Sequence, residues 1–440
     1  MHERIYVCHT YYHVYIACLK ELVQFGQSVP DAEFPAPGAA PASGSVRTLP
    51  ASGAVRASAP SGSARTFSAH GAAPIPAATL LLSTMSNDFR DLPERARRSG
   101  LFEEVLLFDE KEDTFFPELK PLKTDTGSLV KNMVNRMRFL RRFAALEAPF
   151  VPVDFRQYRD IYVFCDSDPV GYYLAANRIR YHALEDGLDC LKYYDTARYD
   201  NRGHFGLKAL LARLGLIFIQ NGYSRYCIDM EVNDLKALPF PGPRGKMAER
   251  SREALAARLS KRDKERLTAL FIANLDELKK IAAQAGALRE NGDGAAPPAA
   301  APLPRTDALP PASAAPAVSP RRPVVLVLTE PLCDLATRKR LFTDLIAENG
   351  TVDGAAARIV IKPHPRDVLD YRQAFPQHLV LDAFFPMEIL NFVDGLRFDR
   401  VVTVYTVPAS IHCARERVYL GDDFMDRYEA PEIHRQNEQI

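Results

Sequence analysis

Arg358-Ile359-Val360-Ile361-Lys362-Pro363-His364-Pro365-Arg366-Asp367 decides how this chain is read. A β-branched run passes straight into a turn that two prolines stiffen, so one imidazole is presented in a set direction between Lys362 and Arg366. In open α/β sheets ligands sit beyond the carboxyl ends of the strands, which makes residues just after strands the ones to weigh. The turn reads as an anion pocket with a proton donor in it, suited to a phosphate or a phosphate leaving group.

Outward from that turn, short β-branched runs alternate with longer helical patterns. Expected strands on this side of the chain are Val324 to Leu328, Arg358 to Ile361, His378 to Leu381, Arg400 to Val404 and Val418 to Leu420, with a helix from Arg338 to Glu348. Nearer the start come Ile5 to Val7, a helix reaching about Phe25 and stopped by Gly26, then Thr79 to Leu82, Ile161 to Phe164 and an apolar run from Ile179 to Leu184. The alternation is that of parallel α/β domains. Two stretches rich in Ala, Pro, Gly and Ser, 30–77 and 291–322, have too little to bury and read as a disordered insertion and a linker. The expected organisation is an N-terminal Rossmann-like domain from 1–29 and 78–290, and a C-terminal nucleotide-binding domain over 323–440.

Composition narrows the function. With 440 residues, 47% hydrophobic and 25% charged, the chain has room for two globular domains. Lys plus Arg number 56 against 55 acids, a formal net charge of +1, so there is no global drive toward nucleic acid. Seven scattered cysteines with no C-x-x-C pair argue against a disulfide framework or a zinc site and read as core thiols of a reducing, cytoplasmic compartment. No segment approaches the roughly 20 apolar residues of a membrane span. The stretch from Lys131 to Phe143 interleaves Arg136, Arg138, Arg141 and Arg142 with apolar residues; it reads first as a solvated basic helix face and second as a peripheral membrane contact.

Three further constellations carry chemistry. Glu185-Asp186-Gly187 closes the run that ends at Leu184, placing a carboxylate where a general base would stand, with Gly187 allowing close backbone approach. Crowded carboxylates are expected to raise one of the two pKa values. Pro386-Met387-Glu388 opens a helix with an acid in its first turn, which either complements the dipole or binds ribose hydroxyls. Thr406-Val407-Pro408-Ala409-Ser410 follows a strand and offers hydroxyls and amides at a helix start, a phosphate site without a glycine-rich loop or else an ordinary cap. The P-loop, G-x-G-x-x-G, H-E-x-x-H and G-x-S-x-G motifs are missing, so the kinase, dehydrogenase, metalloprotease and hydrolase readings lack their parts.

Taken in order, these motifs resemble those of bacterial sialyltransferases of glycosyltransferase family 52 and the related capsular polysialyltransferases. Glu185-Asp186-Gly187 is similar to the acidic-acidic-Gly motif, His364-Pro365 to the His-Pro motif and Thr406 to Ser410 to the Ser/Thr motif. Tyr6 to Val14, Leu328-Thr329-Glu330-Pro331-Leu332 and Pro386-Met387-Glu388 add to the likeness. Glu330 stands where an amide side chain is expected, bringing a negative charge near the donor phosphate.

The resemblance implies a GT-B architecture and an inverting, metal-independent transfer of sialic acid from CMP-sialic acid, with no cofactor, to a lipooligosaccharide or capsular glycan at the inner face of the cytoplasmic membrane. It implies Asp186, aided by Glu185, as base and His364 as the group that neutralises or protonates departing CMP. Donor binding would fall to Lys362, Pro365, Arg366, Glu388, Thr406, Ser410, Thr329 and Gly187. A transferase using a UDP-sugar or a CDP-alcohol, and an inert glycan-binding or assembly protein, remain the alternatives.

Overall fold

The computed structural model describes residues 2–26, 77–85, 88–111, 113–164, 166, 169–187, 191, 203–238, 242–243, 245–286 and 322–433. Apart from Ala77 and Arg322, the two Ala/Pro-rich stretches lie outside the described residues, as do Cys165 and Cys190.

The N-terminal strands are β1 (His2–Cys8), β2 (Ala78–Ser83), β3 (Glu104–Phe108), β4 (Tyr158–Phe164), β5 (Tyr181–Leu184), β6 (Cys227–Val232) and β7 (Met247–Glu249). They form one parallel sheet in the order β3-β2-β1-β4-β5-β6-β7. After it come β8 (Val324–Leu328), a small antiparallel hairpin of β9 (Thr351–Val352) and β10 (Ala355–Ala356), then β11 (Arg358–Lys362), β12 (Leu379–Val380), β13 (Phe398–Thr403) and β14 (Ala414–Tyr419). The hairpin turns on Asp353-Gly354, both at positive φ, as a tight two-residue turn requires. The remaining five strands pair in parallel as β12-β11-β8-β13-β14.

Both sheets therefore reverse direction beside their first strand, between β1 and β4 and between β8 and β13, which opens a ligand crevice at the carboxyl ends of each. This is a GT-B architecture of two doubly wound domains. The last strand starts four residues before the expected Val418, because its opening Ala-Arg-Glu-Arg is charged. An edge strand exposed to water accommodates such residues.

Strand alternation assigns the two faces of each sheet to different cores. Tyr6, Cys8, Leu80, Leu82, Tyr162 and Phe164 share one apolar cluster with Val324, Leu326, Val360 and Val401 of the other sheet. Helices Lys261–Phe271 and Leu275–Gly286 and the segment Met387–Phe392 fill the space between. Tyr11 against Phe384 (5.6 Å between ring centroids), Tyr15 against Phe392 (6.2 Å) and Arg90 over Phe384 (3.8 Å) cross from one domain to the other. Opposite faces, with Val7 and Val163 in one sheet and Val327 and Ile361 in the other, close private cores.

The first helix, Tyr11–Leu19, is buried almost all round, as its position between the domains demands. It passes into a π-helical turn, Lys20–Gln24, before Gly26 turns left-handed. Charges buried here are paired: Glu21 accepts two hydrogen bonds from Arg4 and one from Tyr6, and Lys20 Nζ lies 2.6 Å from Glu231.

The helix of Lys131 to Phe143 runs over Leu129–Glu147. Met133, Phe139, Leu140 and Phe143 are buried, the last three against Tyr172 and Phe218, and Arg136 is buried too, while Arg138, Arg141 and Arg142 face solvent. Its main apolar face is spent on the core, leaving electrostatics as the chief means of contact with an anionic surface. Among the described residues no helix is long and apolar enough to cross a membrane.

Helix Pro169–Ala176 passes so close to the end of β4 that a Cβ on Gly171 would run into the Asp166 carbonyl oxygen. Asp166 is fully buried and accepts hydrogen bonds from Tyr181 and the Asn221 amide, yet burial still raises its carboxyl to about 7. A carboxyl that holds its proton more tightly when folded contributes stability below its unfolded pKa and loses it as pH rises through about 7. Urea unfolding of Asp166→Asn beside the wild type checks this. From pH 5 to pH 7 the wild type should lose stability relative to the variant by on the order of 1 kcal/mol per pH unit, whereas parallel pH profiles would contradict it.

Candidate functional site

The carboxyl end of the first sheet collects its chemistry around Asp186. Residues after β5 leave the sheet at Glu185, and Gly187 at φ 133° adopts a conformation that side chains rarely accept. Asp186 is partly exposed, and its Oδ1 lies 2.6 Å from Nε2 of buried His13. His13 sits in the first turn of the helix after β1, where Thr10 caps its amide, and its ring stacks on Phe164 at 3.9 Å. The His9 amide donates to His13 Nδ1 at 3.0 Å, so the ring proton resides on Nε2 and the neutral imidazole faces the carboxylate. Burial lowers the His13 pKa despite that carboxylate. His9 in turn lies 2.9 Å from Glu110, which also accepts the Val170 amide.

Burial alone would raise Asp186, but His13, then His9 and Arg252, outweigh it and hold the carboxyl below its ordinary value. For Asp186 this corrects the expectation that crowding with Glu185 raises its carboxyl. The Glu185 side chain is buried and turned away: it accepts the Asn233 amide at 2.7 Å and contacts Arg252 at 3.4 Å, while Arg252 also donates to the Glu185 carbonyl. Glu185 therefore anchors Arg252 rather than assisting the base.

Arg252 opens helix Arg252–Ala257, an end where the helix dipole disfavours a cation, so its place is set by the acids around it. Its guanidinium lies 5.4 Å from the Tyr12 ring centroid. Its charge also lowers the pKa of Asp186 and, in the second domain, of Glu388. Glu388 is half-buried in the 3-10 segment Met387–Phe392; burial raises its pKa against the opposing pull of Ser410, Lys362 and Arg252.

Behind the second sheet's carboxyl end, the His-Pro turn is braced from below. Thr329 Oγ1 accepts the His364 amide at 3.1 Å and donates to Asp367 at 3.3 Å. Asp367 is clamped by Arg338 Nη1 at 2.7 Å and Tyr371 at 2.7 Å. His364 Nδ1 accepts the Arg366 amide at 3.1 Å, leaving Nε2–H as the group offered outward. Burial first, then Arg366 and Lys362, lower His364 to about 4, so at neutral pH it is a hydrogen-bond donor without charge. Arg366 is exposed, and half-buried Pro365 fixes the turn between them.

Four residues expected to bind the donor are placed otherwise. Lys362 is buried, its ammonium on the Ala383 carbonyl at 3.0 Å and 4.5 Å from the Phe385 ring centroid; burial lowers it to about 8, and it supplies potential rather than direct contact. Thr329 spends its hydroxyl on the turn. In the 406–410 stretch, a single 3-10 turn, Pro408–Ser410, replaces the expected helix. Ahead of it the Tyr405 and Thr406 amides already donate to the Glu330 carboxylate, while the Ser410 hydroxyl is buried beside Glu388. Sequence reading missed His13, Arg252, Arg338 and the fastening of Glu330. Only the His9-x-x-x-His13 spacing, one helical turn, held a local signal. Among the described residues no cluster of three or more His, Cys, Asp or Glu is arranged to hold a metal ion.

The sequence matches no family model. A Haemophilus influenzae protein of uncharacterised function is 41% identical over 54 residues, 12% of this chain and 17% of that protein's length. Among solved structures, the α/β-galactoside α-2,3-sialyltransferase of Photobacterium phosphoreum is similar over 78% of this chain and 89% of its own, with 10% identity and a TM-score of 0.38. The UDP-GlcNAc 2-epimerase of Methanocaldococcus jannaschii (80% and 91%, 9% identity, TM-score 0.30) and the glycosyltransferase SnogD of Streptomyces nogalater (82% and 94%, 14% identity, TM-score 0.28) are similar as well. Scores of this size carry no functional argument, and the fold assignment rests on the strand order above.

Replacing His13 by Phe keeps the stack on Phe164 and removes Nε2 from Asp186. The Asp186 carboxyl, followed by carbon NMR, is then expected to titrate at higher pH than in the wild type, because burial remains while its strongest partner is gone. An unchanged titration would show that His13 does not hold it.

Proposed function

We propose that the chain is an inverting glycosyltransferase that moves sialic acid from CMP-sialic acid to a hydroxyl of a cell-surface glycan such as a lipooligosaccharide or capsule. The observation that carries the reading is the pairing of Asp186 with His13 at the carboxyl end of one doubly wound sheet and the braced His364 turn at the carboxyl end of the other. A partly exposed, ionised carboxylate on one side of a crevice and a braced histidine turn on the other match the two tasks of such a transfer.

The acceptor oxygen attacks the anomeric carbon while the bond from that carbon to the phosphate oxygen breaks, and the hydroxyl proton passes to Asp186. His13 keeps Asp186 ionised and oriented until then. CMP leaves with the electron pair, and the charge that develops on its phosphate is met by His364 Nε2–H and the exposed cation of Arg366. Because the Arg366 amide occupies Nδ1, the ring meets that charge as a neutral hydrogen-bond donor through Nε2–H. Glu388 is offered to the ribose hydroxyls. The reaction as drawn routes no step through a metal ion. The work would take place at the cytoplasmic face of the membrane, with Arg138, Arg141 and Arg142 available for attraction to anionic lipid.

Calorimetry with CMP and UDP, without added metal, tests the donor class. CMP is expected to bind the wild type more tightly than UDP and to lose about 10- to 100-fold in His364→Ala, the value of a hydrogen bond to a charged group. Asp186→Asn is expected to keep CMP affinity while turnover of CMP-sialic acid falls by about 10²- to 10⁴-fold. Preferential UDP binding would refute the donor, and full turnover in Asp186→Asn would refute the base.

A further inference from the structure

We propose that Glu330 restricts the nucleotide crevice to a single phosphate by filling, with its own carboxylate, the place a second phosphate would take. The inference rests on the nucleotide-sugar reading above and deepens it. The crevice of a doubly wound sheet opens where the strand order reverses, here between β8 and β13, and loop amides at those strand ends are the usual receptors for phosphate oxygens. Glu330 follows β8 by two residues, is buried, and reaches across that point. Both of its oxygens accept the Tyr405 amide, at 3.1 and 3.0 Å, and Oε1 also accepts the Thr406 amide.

Two backbone donors that could otherwise receive an anion are therefore satisfied by a fixed negative charge belonging to the protein. The preceding residue, Thr329, holds the His364 amide. The place for one phosphate, at His364 and Arg366, and the place closed by Glu330 thus hang on consecutive residues. A diphosphate extending from the first toward the second meets an anion where it needs donors, and such a like-charge encounter weakens its binding. A nucleoside monophosphate leaving group stops short of it.

CMP and CDP differ by one phosphate and nothing else, which makes them the probes. Calorimetry on the full chain is expected to show CMP binding tighter than CDP by about tenfold or more. In Glu330→Gln, which retains an oxygen for the amides but removes the charge, CDP should gain relative to CMP by a similar factor, with thermal melting to confirm that the variant is folded. Equal binding of CMP and CDP by the wild type overturns the inference and leaves the transferase reading standing, as does an unchanged ratio in a folded variant. If neither nucleotide binds, the reading and the inference fall together. Should Glu330→Gln fail to fold, Glu330→Ala serves as the second uncharged variant, with the same gain of CDP relative to CMP expected and an unchanged ratio overturning the inference.

Discussion

Arg252 is the point on which the two halves of the molecule depend. It belongs to the segment that leaves the first sheet, is tied to the Glu185 carboxylate and carbonyl, and lies within electrostatic reach of Asp186 and Glu388. Its charge favours the ionised forms of Asp186 and Glu388, acids contributed by different domains, while it holds Glu185 directly. Its planar fork suits the task, because one cation can bond a carbonyl and a carboxylate while its face rests near Tyr12. The shared apolar cluster sets the distance between the sheets, and Arg252 sets the charge balance of the space left between them.

Protonation in that space follows from burial weighed against partners, one group at a time. Asp186 is pulled down by His13, whose own tautomer is fixed by the His9 amide. Glu388, facing the same arginine, is raised because burial outweighs its partners. His364 is neutral because burial and two nearby cations act in the same direction. The crevice before ligand thus presents the ionised carboxylate of Asp186, the uncharged donor of His364 and the exposed cation of Arg366. A charged donor substrate alters each of these balances when it arrives.

Much of the architecture was legible because parallel α/β domains write themselves locally. Val324 to Leu328 and Arg358 to Ile361 are apolar runs whose type and place follow from neighbouring residues alone, and the strand after Arg400 shares that property. The His-Pro turn was legible for the same reason, since two prolines impose their geometry whatever surrounds them. Charged edge strands such as β14 carry a weaker signal, which is why its start was displaced toward the apolar Val418.

The sequence by itself determined where functional groups stand along the chain: Asp186, His364 and Glu388 each follow a strand or open a turn, and strand ends are where α/β sheets place their ligands. Only the tertiary structure decided what those groups do to one another. Glu185 sits next to Asp186 yet turns away to Arg252, which is 67 residues on. His13 reaches Asp186 from the start of the chain, and Glu330 closes on the amides of Tyr405 and Thr406 from another loop. Propensity and periodicity act over a few residues, whereas a side chain's partner and protonation state depend on whatever the fold brings within a few ångströms, and for every one of these contacts that neighbour is distant in sequence.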